Sequence, residues 1–226
     1  MTTVSMKDIR TALNFRHACK HFDPTRTISD DDISLILEAA HTSPTSYGFE
    51  QWNIIVTQDP TLRSAIKQAS ALANNPRFDA SHILVFTAKT SAGVPPHIDH
   101  ILKDVKKLPL PARAAFKTYW KQWAKKSFHL FKHDDSLHQW SARQAYIALG
   151  FAMLTAAERG IDSCAMEGFD IDKLSQVLAD VNLINPATDQ PVVILALGYR
   201  AGTQPKRSRR PIDEAIRVQS TNPEQA

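Results

Sequence analysis

The sequence predicts one α/β or α+β domain, and three observations carry the prediction. With 226 residues, 43% hydrophobic and 22% charged, the chain can bury a sizeable core. Stretches of helical period alternate with short apolar runs of strand character at Trp52–Thr57, Ser81–Ala88 and Pro191–Leu197. No internal repeat or long linker divides the sequence, so residues 1–226 read as a single unit with a helical excursion over 95–132 and a C-terminal arm over 200–226.

Ser5 caps an amphipathic stretch that runs to about Phe15, with Ile9, Leu13 and Met6 toward one side. The run Ile28-Ser29-Asp30-Asp31-Asp32 is a helix start: Ser29 caps, the acids fill the first turn, and Ile28 is placed to staple onto Ile33. That helix continues through Ile36, Leu37 and Ala40. Pro44 disfavours helix at Ser43, so Ser43–Gly48 is a loop rich in small donors. Trp52–Thr57 alternates as a strand, and Asp59-Pro60 turns the chain into a helix over Thr61–Ala71. Ser81–Ala88, with Ile83, Leu84, Val85 and Phe86 in sequence, reads as a buried central strand.

From Pro95 to Lys132 the chain becomes rich in lysine and aromatic residues at helical spacing, with breaks near Pro109 and Pro111. Ser136–Arg159 is a long helix stopped by Gly160. Its middle is apolar on every face and carries Ala148, Gly150, Ala152 and Ala156, which suits close packing against another helix, including one from a second subunit. Ser163–Gly168 is a short connecting segment, a helix follows over Ile171–Ala179, and Pro191–Leu197 is the third strand. Gln219–Ala226 is expected to be disordered.

The 27 Lys and Arg are nearly offset by 23 Asp and Glu, for a net charge of +4, and this balance does not demand a nucleic-acid partner. Cys19 and Cys164 form no CxxC pair, and Met1–Lys7 contains no apolar signal core, so a reducing, cytoplasmic setting is expected. The longest nearly apolar run, Ala145–Ala157, falls well short of the roughly 20 residues that span a bilayer. None of the seven glycines falls into GxGxxG or GxxxxGK[ST], so a bound nucleotide phosphate would have to be held by side chains.

Two cationic clusters sit near the chain ends, Arg16-His17-Ala18-Cys19-Lys20 and Lys206-Arg207-Ser208-Arg209-Arg210. A fold that brings them together supplies Arg and Lys donors for a phosphate. Charge alone leaves equally open that both are solvated surface patches.

Taken together, these segments resemble the nitroreductase family of flavin enzymes, from about Met6 to Pro211. The resemblance is carried by Arg16–Asp23, Ser43–Trp52, Asp79-Ala80-Ser81-His82, Arg143–Gly150, Met166–Asp170, and Leu197-Gly198-Tyr199-Arg200 with Pro205–Pro211. It implies an FMN-containing homodimer of α+β fold, with a mixed sheet flanked by helices and active sites at the subunit interface. By position Arg16, His17, Ala18, Lys20, Arg207 and Arg209 match the FMN-binding segments, with Arg16, Arg207 and Arg209 on the phosphate and Lys20 at the pyrimidine edge of the ring. Pro44, Thr45 and Ser46 match a loop that the partner subunit lays against the flavin, and Asn74 and Arg77 match polar flavin contacts. Glu167 and Gly168 match the turn whose backbone faces flavin N5. Departures are Ala18 where a hydroxyl residue is common, Gly48 in place of Asn, and Glu50-Gln51-Trp52 for the frequent Gln-Pro-Trp.

The chemistry implied is hydride transfer from NAD(P)H through flavin N5 to nitroaromatic, quinone or related conjugated acceptors, in ping-pong order and with no side-chain nucleophile. Lys20 and Arg77 are the candidates for stabilising the negative charge of reduced flavin. Trp120 and Trp123 are candidate stacking residues for the acceptor, with core packing as the alternative role of either ring.

Other constellations carry less. His129 and His133 stand i, i+4 as metal ligands would on a helix, without the paired carboxylate of HExxH, so no metal is assigned. His17, His21 and His82 read as packing or hydrogen-bonding groups, Glu38 and Glu158 as polar-face residues. Cys19 lies beside positive charge that would lower a thiol pKa, yet Cys19 and Cys164 read as structural thiols. The alternatives to an enzyme are a flavin-binding sensor without turnover and a basic nucleic-acid module working through Lys206–Arg210.

Overall fold

The computed structural model describes residues 6–70 and 75–219. The Ser5 cap, Asn74 and residues 220–226 lie outside the described residues.

Ten residues of α1 (Met6–Phe15) lead to α2 (Asp30–His41), whose N-cap Ser29 accepts a hydrogen bond from the Asp32 amide at 3.2 Å. The capping signal in the sequence therefore places this helix to the residue. A short 3₁₀ turn (Ser46–Gly48) precedes β1 (Trp52–Thr57). Asp59 caps α3 (Pro60–Ala69) by accepting from the Leu62 amide at 2.7 Å. Then follow β2 (His82–Lys89), α4 (Val94–His100), a π-helical turn (Ile101–Val105) and α5 (Leu110–Lys126). The excursion is thus broken at Pro109, as its sequence predicts. The long α6 (Ser136–Glu158) ends at Gly160, which adopts φ +68°, a conformation L side chains rarely tolerate. Beyond it come β3 (Asp162–Met166), α7 (Ile171–Asp180) and β4 (Asp189–Gly198).

Two expectations need correction. The segment taken as a connector after α6 is a strand, β3, so the sheet has four strands in the order β1-β2-β4-β3. All three pairings are antiparallel. The parallel element implied by a mixed sheet is reduced, among the described residues, to a single bridge from Ala18 to Ser163. Asp162-Ser163-Cys164-Ala165-Met166 has no β-branched residue, so its strand signal comes from burial rather than propensity.

The sheet separates two cores. One face packs Leu84, Phe86, Leu195 and Leu197 against Ile33 and Ile36 of α2 and Ala145, Ala148, Ala152 and Ala156 of α6. The other packs Ile83, Val85, Ile194, Cys164 and Met166 against Ile66 of α3 and Leu174 and Leu178 of α7. Burial on both faces is why β2 and β4 read as unbroken apolar runs. The excursion adds a third core, in which Trp120, Ala124 and Leu130 meet Phe49, Leu137 and Trp140. The small residues of α6 divide by face: the alanines pack inward, while Gly150 stands on the exposed side with Tyr146, Ile147 and Phe151.

Candidate functional site

The chain after α1 is threaded between β3 and the continuation of β4. Cys19 donates its amide to Ser163 O (3.1 Å), Asp23 to Tyr199 O (2.8 Å), and Ala201 to His21 O (3.0 Å). Gly198 makes this crossing fit, since a Cβ there would sit 2.9 Å from Cδ1 of Phe22 and 3.0 Å from the Ser81 amide nitrogen. The two cationic clusters, nearly two hundred residues apart in sequence, meet as a result. Arg207 Nη2 donates to the carbonyls of Leu13 (2.5 Å) and Asn14 (3.2 Å), and also to that of Arg16. Those carbonyls end α1 and carry its negative dipole end, a natural seat for a guanidinium.

Burial, followed by the charges of Arg207 and Arg209, holds the Arg16 guanidinium below its usual pKa. Three like charges therefore converge at an exposed to half-buried corner. Among the described residues none of the three has a carboxylate within ion-pair distance. Arg209 Nη1 donates to its neighbour, Ser208 O, at 2.7 Å. Such a donor set fits a phosphate, whose oxygens accept several guanidinium N–H groups at once. Lys20 and Ala18 are exposed beside the corner, Ala18 contributing its backbone bridge to Ser163.

Behind the corner lies Asp162, the first residue of β3, with a side chain 3% exposed. Its Oδ2 accepts from both the backbone N–H and Nε of Arg200, each at 2.9 Å, and its Oδ1 lies 2.7 Å from Arg200 Nη2. His17 Nδ1 stands 3.4 Å from the same Oδ1. Burial and then Arg200 push the His17 pKa down, so it is neutral near pH 7. His17, Cys19 and Asp162 present three potential metal ligands within 4.8 Å of one another. The chemistry opposes that use: Arg200 already grips the carboxylate, and burial, then the Asp162 charge, push the Cys19 thiol up to about 11. The expected lowering of the Cys19 pKa by its cationic surroundings is thereby corrected; the side chain is packed among Phe22, Cys164 and their neighbours. His129 and His133 lie in turns between α5 and α6, so their spacing does not bring them onto one helix face.

At the far end of β3 the turn Glu167-Gly168 is tied from three directions. Tyr146 of α6 donates its hydroxyl to Glu167 Oε1 at 2.5 Å. Burial and then Glu167 hold this phenol above its usual pKa, so it remains a donor. Ser70 bridges Phe169, and the Asp170 amide donates to Ala69 O at 2.8 Å. On the third side Arg77 donates Nη1 to Asn75 Oδ1 at 3.0 Å, while Asn75 Nδ2 approaches Met166 Sδ at 3.4 Å. Gly168 faces open space.

The Pro44-Thr45-Ser46 loop is pinned elsewhere. Ser46 N–H donates to Gln144 Oε1 (2.8 Å) and Glu50 N–H to Thr45 Oγ1 (3.0 Å), so the loop rests on α6 and the excursion rather than at the arginine corner. Tyr47, Gly48 and Glu50 all have positive φ, at 61°, 59° and 51°. Gly48 is the one of the three without a steric penalty, and Asn, its counterpart in the resemblance, is the next most tolerant residue there. Lys106 steadies the strained stretch by donating to Tyr47 O at 2.7 Å.

Trp120 is corrected to a core residue: it is 2% exposed, with Phe49, Trp140 and Phe131 around its ring. Trp123 is half-buried, stacked on Phe128 with centroids 5.1 Å apart. Asp162, Arg200 and Tyr146 were not singled out from the sequence. Tyr146 and Arg200 lie inside the Arg143–Gly150 and Leu197–Arg200 segments, but an ion pair across 38 positions leaves no local pattern to mark Asp162.

Comparison with known proteins gives the family and the fold. The sequence profile described as "Nitroreductase family" matches residues 13–199. A Staphylococcus aureus (strain USA300) protein named "Putative NAD(P)H nitroreductase" is 38% identical over 209 residues, 92% of this chain and 93% of that protein. Bacillus subtilis (strain 168) YfkO, named in the same words, is 33% identical over 94% of this chain and 99% of its own. Among solved structures, a "putative nitroreductase in complex with FMN" from Exiguobacterium sibiricum superposes with TM-score 0.74 at 16% identity, covering 97% of this chain and 99% of that one. A "putative NAD(P)H:FMN oxidoreductase" from Staphylococcus epidermidis gives TM-score 0.76 at 19% identity, covering 97% and 100%. In class the protein is an α+β oxidoreductase. The chain belongs to the nitroreductase family.

Proposed function

We propose that this protein is an FMN-dependent oxidoreductase that passes hydride from NAD(P)H to nitroaromatic, quinone or related conjugated acceptors. The observation that carries the reading is the arginine corner: Arg16, Arg207 and Arg209 converge with no carboxylate partner among the described residues, and their donors suit the phosphate of FMN. When bound, FMN would supply the redox chemistry, with the ping-pong order expected of two substrates that use one flavin in turn.

The chain's own residues bind and tune. Arg16 and Arg209 would hold phosphate oxygens, and Arg207, seated on the α1 carbonyls, would join them. His17 and Ala18 line the corner. Lys20 places an exposed cation for the pyrimidine edge, favouring the reduced cofactor. Arg77, steadied by Asn75, would serve the same charge, and Asn74 is assigned a polar flavin contact by its position in the sequence. The Glu167-Gly168 backbone would face the flavin near N5, and Pro44, Thr45 and Ser46 of a second copy of the chain would lie against the ring. Trp123 remains the stacking candidate for acceptors.

A homodimer is supported by the exposed side chains of Tyr146, Ile147 and Phe151 on α6, with Leu13 of α1 exposed as well. The reading keeps the whole chain as one functional domain in the cytoplasm and assigns the Lys206–Arg210 run no nucleic-acid partner and no membrane. Among the described residues no helix is long and apolar enough to cross a membrane.

The test is a titration of purified protein. It should be yellow, carry FMN, and bleach under anaerobic NADH or NADPH, with colour restored by a quinone or nitroaromatic. Colour that resists both reductants would favour a sensor, and a colourless protein that cannot be loaded with FMN would overturn the reading.

A further inference from the structure

The C-terminal arm has nothing apolar to hold it. From Ala201 to Gln219 no residue is buried, and the arm brings Arg207 and Arg209 up to Arg16 against their mutual repulsion. Some polar contact has to fix its course. Asp162 stands at the point where the arm leaves the sheet, directly opposite Gly198 in the β3–β4 pairing. A buried carboxylate is costly, and an ion pair in such a place is often replaceable by apolar residues without loss of stability. Fold stability alone therefore gives little reason for a charge there.

What Asp162 does is immobilise Arg200 completely, gripping its backbone N–H and Nε through one oxygen and approaching Nη2 with the other. The guanidinium also lies over the Phe15 ring, 4.2 Å from its centroid. Its remaining arm, Nη1, donates to Gln204 Oε1 at 2.8 Å, and Gln204 Nε2 donates to Asn14 O at 3.3 Å. Three residues later Arg207 reaches the Leu13, Asn14 and Arg16 carbonyls. The arm is thus fastened to the end of α1 at positions 200, 204 and 207.

We propose that Asp162, Arg200 and Gln204 form a latch that sets the arginine corner for phosphate, acting as positioning residues that make no contact with the ligand themselves. This rests on the FMN reading and adds a prediction that reading does not make: the latch governs affinity for the phosphate of the cofactor and not for its ring.

Riboflavin, which has the ring and lacks the phosphate, separates the two. Affinity of the apoprotein for FMN and for riboflavin would be measured by fluorescence quenching in the wild type, Asp162→Asn and Gln204→Ala. FMN affinity should fall about 10-fold in Gln204→Ala and about 10- to 100-fold in Asp162→Asn, with riboflavin affinity within about twofold of wild type. Gln204 is half-buried and uncharged, so its variant tests the latch even where Asp162→Asn fails to fold. Equal losses for both flavins, or no loss for either, would overturn the latch while leaving the FMN reading intact. A wild-type protein with no preference for FMN over riboflavin would overturn the phosphate assignment and the latch together.

Discussion

The arginine corner and the aromatic excursion are the two regions where the sequence gathers side chains suited to a ligand, and they are built in opposite ways. In the excursion Trp120 sits with Trp140 of α6 and with Phe49 in a third core, each ring enclosed by others. At the corner the cations are exposed or half-buried, repel one another, and are held by hydrogen bonds to main-chain carbonyls. Packed aromatics have already spent their contacts on folding, whereas converged unpaired cations still have theirs to make. Destabilisation without loss of ligand should follow damage to the first region, and loss of ligand without destabilisation should follow damage to the second.

The largest effect on that contrast is expected from Trp120→Ala, which should cost about 3–5 kcal/mol of stability in urea unfolding and leave the FMN affinity of the folded protein unchanged. A large drop in flavin affinity with stability intact would place the ring at the site after all. Next, Arg207→Ala combined with Arg209→Ala should weaken FMN binding roughly a hundredfold while lowering stability by only about 1 kcal/mol. Full flavin occupancy in the purified double variant would reject the phosphate role.

A smaller effect concerns Cys19, packed just behind the corner. Because its folded pKa is raised to about 11, the neutral thiol is the form the fold prefers. Its contribution is complete below the unfolded thiol pKa and is lost as pH rises through the folded one, so stability should decline between about pH 9 and 11. Cys19→Ala should flatten that part of the pH profile; an unaltered slope would show that other groups cause it. Smallest of all, Lys20→Ala should retain FMN and lower the flavin reduction potential by about 10–30 mV, as expected for an exposed charge. An unchanged potential would remove Lys20 from any tuning role.

How much of this was legible in the sequence depended on the range of the interactions. Ser29, Asp59 and Gly160 announce helix ends through bonds within a few residues, and β1, β2 and β4 announce themselves by apolar content. The arginine clusters were visible as charge, but their meeting depends on the crossing of the chain between β3 and the end of β4, which no local pattern encodes. β3 escaped notice because small and polar residues form it, and its partner Asp162–Arg200 escaped with it. Trp120 and Trp123 looked alike in sequence, and only their burial tells the enclosed ring from the half-open one.

The Ala18–Ser163 bridge has one more consequence. β3 is an outer strand of the sheet, and an outer strand with free N–H and C=O groups invites another chain to pair with it. Here the segment that takes up part of that edge carries Arg16 and Lys20, whose like charges discourage a second copy from approaching in the same register. Replacing the residues assigned to cofactor capture wholesale with neutral residues should therefore raise aggregation as well as weaken binding, which light scattering of the variant would check.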